Sequence, residues 1–275
     1  MSIIDAHVHV WTPDTDKYPL GPGYTKAEMK PPSFTPEQLF QHCKPEGVER
    51  IVLIQMSFYG FDNRYMLDSM QRFPGVFGGV GVVDWTAEKP DVEMARLAKH
   101  GVHGFRVYPK DAPIETWMET KPFERMFKYA ADHKLALCPL IDARALPSLS
   151  RMCAKHLDTH IVIDHLCRIG IDGEIRDNDV HALCQMAHFP EVRVKVSAFY
   201  ALGAKKPPHA DLLPLIRRVY DEFGAKRLMW ASDCPFQVDN EKYSDSISLV
   251  RDRLDWLKPG EKDWLLRKTA EHIFF

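Results

Sequence analysis

Eight short apolar runs, each followed by a stretch with helical periodicity, set the strongest constraint on how this chain can fold. The runs are Ile3–Val10, Arg50–Met56, Val76–Val83, Val102–Tyr108, Leu135–Ile141, His160–His165, Val192–Ser197 and Leu228–Ser232. Apolar and β-branched residues over such short spans mark strands, whereas recurrence at three and four residues marks helices. Helical periodicity appears at Asn63–Arg72, Val92–His100, Phe123–His133, Leu146–His156, Val180–His188 and Leu212–Phe223. Gly101 and Gly224 follow helical segments, where a left-handed cap favours glycine. Thr35-Pro36-Glu37-Gln38 reads as a cap, a first-turn proline and a capping-box Gln. Eight β/α units in 275 residues predict one α/β domain, a closed (β/α)8 TIM-type barrel over residues 1–275. An open doubly wound sheet is the alternative, but it would want a glycine-rich phosphate turn after the first strand. His9-Val10-Trp11-Thr12-Pro13 is not such a turn. Residues 11–45 form a long, proline-rich connection expected to lie over the barrel mouth as a lid. The C-terminal stretch 241–275 holds further helical segments, Tyr243–Leu257 and Lys262–Ile273, expected to pack outside the barrel or close its base.

Charge and composition narrow the function classes. A formal charge of −2 leaves no electrostatic footprint for nucleic acid or an anionic membrane surface. No apolar run approaches the ~20 residues that span a bilayer, and the first residues lack the basic start and apolar stretch of a signal peptide. The six cysteines are scattered, with no Cys-x-x-Cys pair, which argues for reduced thiols in the cytoplasm rather than a zinc ribbon. A small-molecule enzyme is the expectation, and a homo-oligomer is left open.

The polar residues at the strand ends carry the chemistry. In Ile3-Ile4-Asp5-Ala6-His7-Val8-His9-Val10, strict alternation puts Asp5, His7 and His9 on one face. Two imidazoles about 7 Å apart along a strand can converge on one metal ion or substrate oxygen. Catalytic groups of barrels gather at the C-terminal strand ends. Reading each strand there adds Gln55 and Ser57, Arg106 and Tyr108, Asp164 and His165, Lys195 and Ser197, and Asp233. Arg106 can serve as a carboxylate clamp or as an ion-pair partner of Asp233 or Asp164. Lys195 is expected to pair with a buried carboxylate such as Asp5. The remaining histidines, His209 among them, carry no spacing signal and are expected to be exposed.

Asp5-Ala6-His7-Val8-His9, Gly104-Phe105-Arg106, Asp164-His165-Leu166-Cys167-Arg168 and Trp230-Ala231-Ser232-Asp233-Cys234-Pro235 together resemble the signatures of the amidohydrolase superfamily. The similarity is to its amidohydrolase-related branch, which includes pyrone-dicarboxylate, sugar-acid and sulfomuconolactone lactonases. It runs from residue 3 to about residue 273. The resemblance implies that His7 and His9 are the strand-one metal pair, His165 the strand-six histidine and Asp233 the strand-eight aspartate. It also implies where this chain departs. No lysine ends the fourth strand to bridge two metals, and no histidine ends the fifth, so a binuclear centre is not expected. Cys167 stands where a glycine is common after the strand-six histidine.

These residues suit hydrolysis of a carboxylated lactone. Asp233 would take a proton from water, with His165 as the second catalytic group. His7, His9, His165 and Asp233 would hold one divalent ion, zinc being favoured because this donor set suits it with an open position, where its bound water could reach a pKa of ~7; metal-free catalysis is the alternative. Arg106 would grip a substrate carboxylate, with Tyr108, Ser57 and Arg168 as further contacts. Decarboxylation or lactone isomerisation in the same pocket, and a non-catalytic binding barrel, are the competing readings.

Overall fold

The computed structural model describes residues 2–109 and 112–275. Among them, eight parallel strands pair in the order of the sequence. They are β1 (Ile3–Val8), β2 (Val48–Ile54), β3 (Phe77–Gly81), β4 (Val102–Val107), β5 (Ala136–Pro139), β6 (His160–Ile163), β7 (Val192–Ser197) and β8 (Leu228–Ala231). A parallel bridge between Val8 and Cys234 joins the exit of β8 to β1, so the sheet closes on itself as a (β/α)8 barrel. The intervening helices are α1 (Pro36–Cys43), α2 (Arg64–Arg72), α3 (Pro90–Ala98), α4 (Lys121–His133), α5 (Leu146–Lys155), α6 (Asp177–Gln185), α7 (Leu213–Phe223) and α8 (Tyr243–Arg253). The capping box is present at α1: the Thr35 hydroxyl accepts from Gln38 N–H, and the Gln38 side chain accepts from Thr35 N–H at 2.7 Å.

Most strands end one or two residues earlier than the apolar runs suggest. His9, Gln55, Tyr108, His165 and Asp233 therefore lie just beyond the paired backbone, where side chains are free to turn over the mouth.

The barrel interior is a small apolar layer. Ile4, Ala6, Val52, Ile54, Val80, Ala136, Cys138, Val162, Met229 and Ala231 meet there with Ala270, Ile273 and Phe274. The last three belong to a C-terminal helix that passes through a π-helical turn at Trp264–Lys268 and ends as Thr269–Phe274. Of the two placements expected for this segment, it closes the base. Two glycines make room for it. A Cβ on Gly78 would lie 2.6 Å from the Phe274 carbonyl oxygen, and one on Gly104 would lie 3.1 Å from the Phe274 ring. The larger apolar core lies between the strands and the surrounding helices, so nearly every strand position is covered on both faces.

The connection after β1 is held to itself, to the loop that follows β2 and to α2. Trp11 and Phe34 exchange backbone hydrogen bonds at 2.8 and 3.0 Å, Gly21 N–H donates to Phe58 C=O at 2.8 Å, and the Tyr18 hydroxyl donates to Asp68 at 2.7 Å.

Candidate active site

The first strand does not keep the strict alternation expected of it. Its pairing with β2 shifts register between Asp5 and Val8, a bulge that turns successive side chains out of phase. Ile4 and Ala6 face the barrel interior, whereas Asp5 faces outward and accepts from Ser232 N–H (2.9 Å), the Ser232 hydroxyl and the Tyr243 hydroxyl (2.6 Å). His7 and His9 both reach the mouth, their Nε2 atoms 3.2 Å apart. Asp5 therefore does not share their face, and it is not the partner of Lys195.

That partner is Asp164. Lys195, fully buried on β7, lies 3.0 Å from Asp164 Oδ1 and 3.1 Å from His7 Nδ1. Arg106 approaches from β4, with Nη2 3.3 Å from Asp164 Oδ2 and 3.5 Å from His7 Nε2. Burial alone would raise the Asp164 pKa, but Lys195, His7 and Arg106 together hold it well below the usual carboxylate range. Of the ion-pair partners open to Arg106, Asp164 is the one it meets. Among the described residues its Nε is buried without a partner, and the side chain borders two cavities at the mouth.

His165 stands just past β6, where His165, Leu166, Cys167 and Arg168 all have φ between 50° and 57°. This left-handed turn is costly for residues with a Cβ. It is the physical reason that the position of Cys167 favours glycine. The turn aims His165 at the site: its ring centroid is 4.4 Å from that of His7, and its Nδ1 shares a 2.9 Å hydrogen bond with the Ser197 hydroxyl of β7. Burial drives the His165 pKa down to about 4, against the opposing pull of Asp233 and Asp164. Burial likewise lowers His7, aided by Lys195, so both rings are neutral at neutral pH.

Asp233 follows β8, also with a left-handed backbone (φ 65°). Its N–H donates to His7 C=O at 3.0 Å, and His9 N–H donates to Cys234 C=O at 2.9 Å, which locks this carboxylate beside the strand-one imidazoles. Asp233 Oδ1 is 3.5 Å from His7 Nε2 and 3.4 Å from His9 Nε2; Oδ2 is 3.8 Å from His165 Nε2. Oδ2 also accepts from the Tyr200 hydroxyl at 2.7 Å. Burial would raise the Asp233 pKa, but the imidazoles beside it, His165 foremost, outweigh it and keep the carboxylate ionised. Tyr200 carries no spacing signal in the sequence. It lies in the loop after β7, and only the fold brings it to Asp233.

Two cavities open at this mouth. The smaller, about 250 Å³, is lined by His9, His165, Arg168, Tyr200 and Asp233, among others. The larger, about 740 Å³, is lined by Gln55, Tyr108 and part of the connection after β1. Ser57, Arg106 and Leu140 border both. Gln55 turns its amide to Asp62 C=O (2.7 Å) and shapes the loop after β2. Arg168 lies 3.4 Å from Asp142. His209 is a correction: it is fully buried rather than exposed, 3.0 Å from Glu241. The pair ties the loop after β7 to the loop after β8, a contact that sequence spacing cannot show.

The donor set fits a divalent ion. His7, His9 and Asp233 offer ligand atoms within 4.8 Å of one another, as do His7, Asp164 and His165. Neutral imidazoles and an ionised carboxylate are the protonation states that metal binding needs. His9 donates through Nδ1 to Ile54 C=O at 3.0 Å, which leaves Nε2 as a lone pair. His7 is different. The Lys195 ammonium can only donate, so His7 Nδ1 accepts and the proton of the neutral ring sits on Nε2. An ion at His7 Nε2 would require that proton to move to Nδ1, facing Asp164 Oδ1 at 3.4 Å.

A closed barrel with paired strand-one histidines, a strand-six histidine and a strand-eight aspartate defines a hydrolase of the amidohydrolase type. The profile of the family described as Amidohydrolase matches residues 4–275, and the chain belongs to that family. Over 236 residues it is 31% identical to L-fucono-1,5-lactonase from Burkholderia ambifaria, covering 84% of this chain and 80% of the relative. It is 28% identical over 262 residues to a 2-pyrone-4,6-dicarboxylate hydrolase from Comamonas testosteroni, covering 90% and 81%. An amidohydrolase structure from Burkholderia multivorans with bound zinc superposes with a TM-score of 0.81 at 20% identity, covering 99% of each chain. Among the described residues, no helix is long and apolar enough to cross a membrane.

Proposed function

We propose that this enzyme opens a carboxylated lactone by attack of water on the ring carbonyl. The observation that carries this reading is the placement of Asp233, an ionised buried carboxylate bordered by three imidazoles at the wall of the smaller cavity. Its Oδ1, the oxygen not engaged by Tyr200, receives the proton as water adds to the carbonyl carbon. His165, on the cavity wall, faces the developing oxyanion as a neutral hydrogen-bonding group, with the fully buried His7 packed behind it. When the ring C–O bond breaks, the proton on Asp233 passes to the leaving alkoxide, and a hydroxy acid is the product. Arg106 holds the substrate carboxylate, with Tyr108, Ser57 and Arg168 as further contacts. Its pairing with Asp164 fixes the guanidinium before substrate arrives.

His7, His9 and Asp233, with His165 adjacent, would hold one divalent ion, zinc in this reading. When bound, the ion lowers the pKa of water and polarises the carbonyl. Lys195 and Arg106 already place positive charge within 3.5 Å of His7, which weakens the site for a further cation and makes the ion removable. The connection 11–45 serves as a lid, and the buried free cysteines suit a reducing cytoplasm.

The test is a screen of carboxylated lactones by acid release, on enzyme as purified and after chelation. Ring opening of at least one such lactone, lost in Asp233→Asn, is the expected outcome. Release of carbon dioxide, or isomerisation without acid release, would overturn the hydrolytic reading.

A further inference from the structure

The catalytic groups use only the smaller cavity. The larger one, about three times its volume, meets it at Ser57, Arg106 and Leu140. Tyr24, Tyr59, Phe61 and Tyr108 line it together with Pro19, Leu20 and Val82, and two of these aromatic rings are left open. Phe61 is 51% exposed and Tyr24 is 39% exposed, although both are large side chains bordering a cavity. Behind them the wall is built rather than accidental. Phe61 stands edge-on to Trp85 (6.2 Å between centroids), and Trp85 stands edge-on to Tyr108 (4.7 Å). Tyr24 comes from the connection after β1, so the lid segment supplies the facing side. An apolar surface of this kind left open beside a catalytic cavity gains most by covering an apolar ligand group. The polar boundary is consistent with that. The Asp62 carboxylate on the chamber wall is taken up by Arg64 (Nη2 to Oδ2, 2.6 Å), and among the described residues Arg106, at the junction, is the lining cation, so the chamber offers no second partner for a carboxylate.

We propose that the larger chamber binds an uncharged, ring-sized apolar substituent of the substrate, so that the preferred substrates are monoanionic lactones bearing an aryl or comparable group. The proposal rests on the lactonase reading and narrows it: Arg106 marks the position of the carboxylate, and Phe61, Tyr24 and Tyr108 select what lies beyond it.

The experiment compares two lactones with the same carboxylated ring, one carrying phenyl and the other methyl. Acid release should give a kcat/KM at least about tenfold higher for the phenyl compound, the scale of burying one or two methylene equivalents. Phe61→Ala should bring the ratio toward one. Val92→Ala, which alters an exposed apolar residue on α3, should leave the ratio as it is. Calorimetry on the two ring-opened hydroxy acids provides a second arm that needs no turnover. Hydrolysis of both lactones at equal kcat/KM overturns the chamber assignment and leaves the lactonase reading intact. If neither lactone is hydrolysed, the lactonase reading fails for this class, and the hydroxy acids decide the chamber. A tenfold tighter phenyl acid, lost in Phe61→Ala, supports the chamber assignment, and equal affinities overturn it.

Discussion

Asp5 and Asp233 are two buried carboxylates on adjoining edges of the barrel, and their surroundings drive them in opposite directions. Asp5 lies on the outer side of β1 among neutral donors: Ser232 N–H, the Ser232 hydroxyl and the Tyr243 hydroxyl. These bonds only partly offset burial, and its pKa rises to about 6. Asp233 lies at the mouth among imidazoles, which outweigh burial and hold it ionised. Equal burial thus gives one carboxylate that braces β1 against β8 and α8, and another that can take a proton from water. What decides between the two roles is the chemistry of the neighbours and the open space on one side.

The widest separation between them should appear in turnover. Asp233→Asn keeps the shape and removes the basic oxygen, so hydrolysis should fall by roughly 10²-fold or more. Binding of a carboxylated product analogue should survive. Near-normal turnover at equal metal content would place the base elsewhere, with His165 next.

Arg106 tests whether the charge at the junction of the two cavities, beside Asp164, belongs to substrate or to the fold. Arg106→Ala should weaken carboxylate binding by about tenfold to a hundredfold, the range of a charge-assisted hydrogen bond. Arg106→Lys should recover part of that binding, since it keeps the charge without the planar fork. If binding in Arg106→Ala is intact and only thermal stability drops, the residue serves Asp164 alone.

On the Asp5 side the effect should be on stability. Asp5→Asn replaces an acceptor facing several donors with a group that must also donate, and should cost about 1–3 kcal/mol by denaturant unfolding. Tyr243→Phe should cost less, because one bond is lost and Asp5 keeps its Ser232 partners. Turnover in both should fall far less than in Asp233→Asn; an equal loss would erase the distinction between the two carboxylates.

The smallest effect is in the pH dependence of the metal-free protein. His165 is lowered to about 4 from 6.5, so the unfolded chain binds more protons between those values, and stability declines as pH falls from 6.5 to 4. Asp5 is raised to about 6 from 3.8, so the folded chain binds more protons there, and its contribution is fully present below 3.8 and lost as pH rises through 6. The two oppose each other between about pH 4 and 6. Asp5→Asn removes one of them, so its stability should fall more steeply on acidification than the parent's, by up to about 1.4 kcal/mol per pH unit. Parallel curves would show that Asp5 does not titrate in this window.

The sequence by itself determined the barrel, the capped start of α1, and the identity of His7, His9, His165, Arg106 and Asp233 as polar residues at strand ends. It could do so because strand and helix periodicity are local properties, and a polar residue ending an apolar run is visible without neighbours. Tertiary structure alone decided which groups face one another. The bulge in β1 sends Asp5 outward and gives Lys195 to Asp164, and a bulge depends on pairing with β2 rather than on the residues of β1. Tyr200 reaches Asp233 from the loop after β7, 33 positions away, and His209 is buried against Glu241, 32 positions away. Contacts between loops of different strands leave no periodic trace, because closure of the barrel, rather than any stretch of chain, sets their distance.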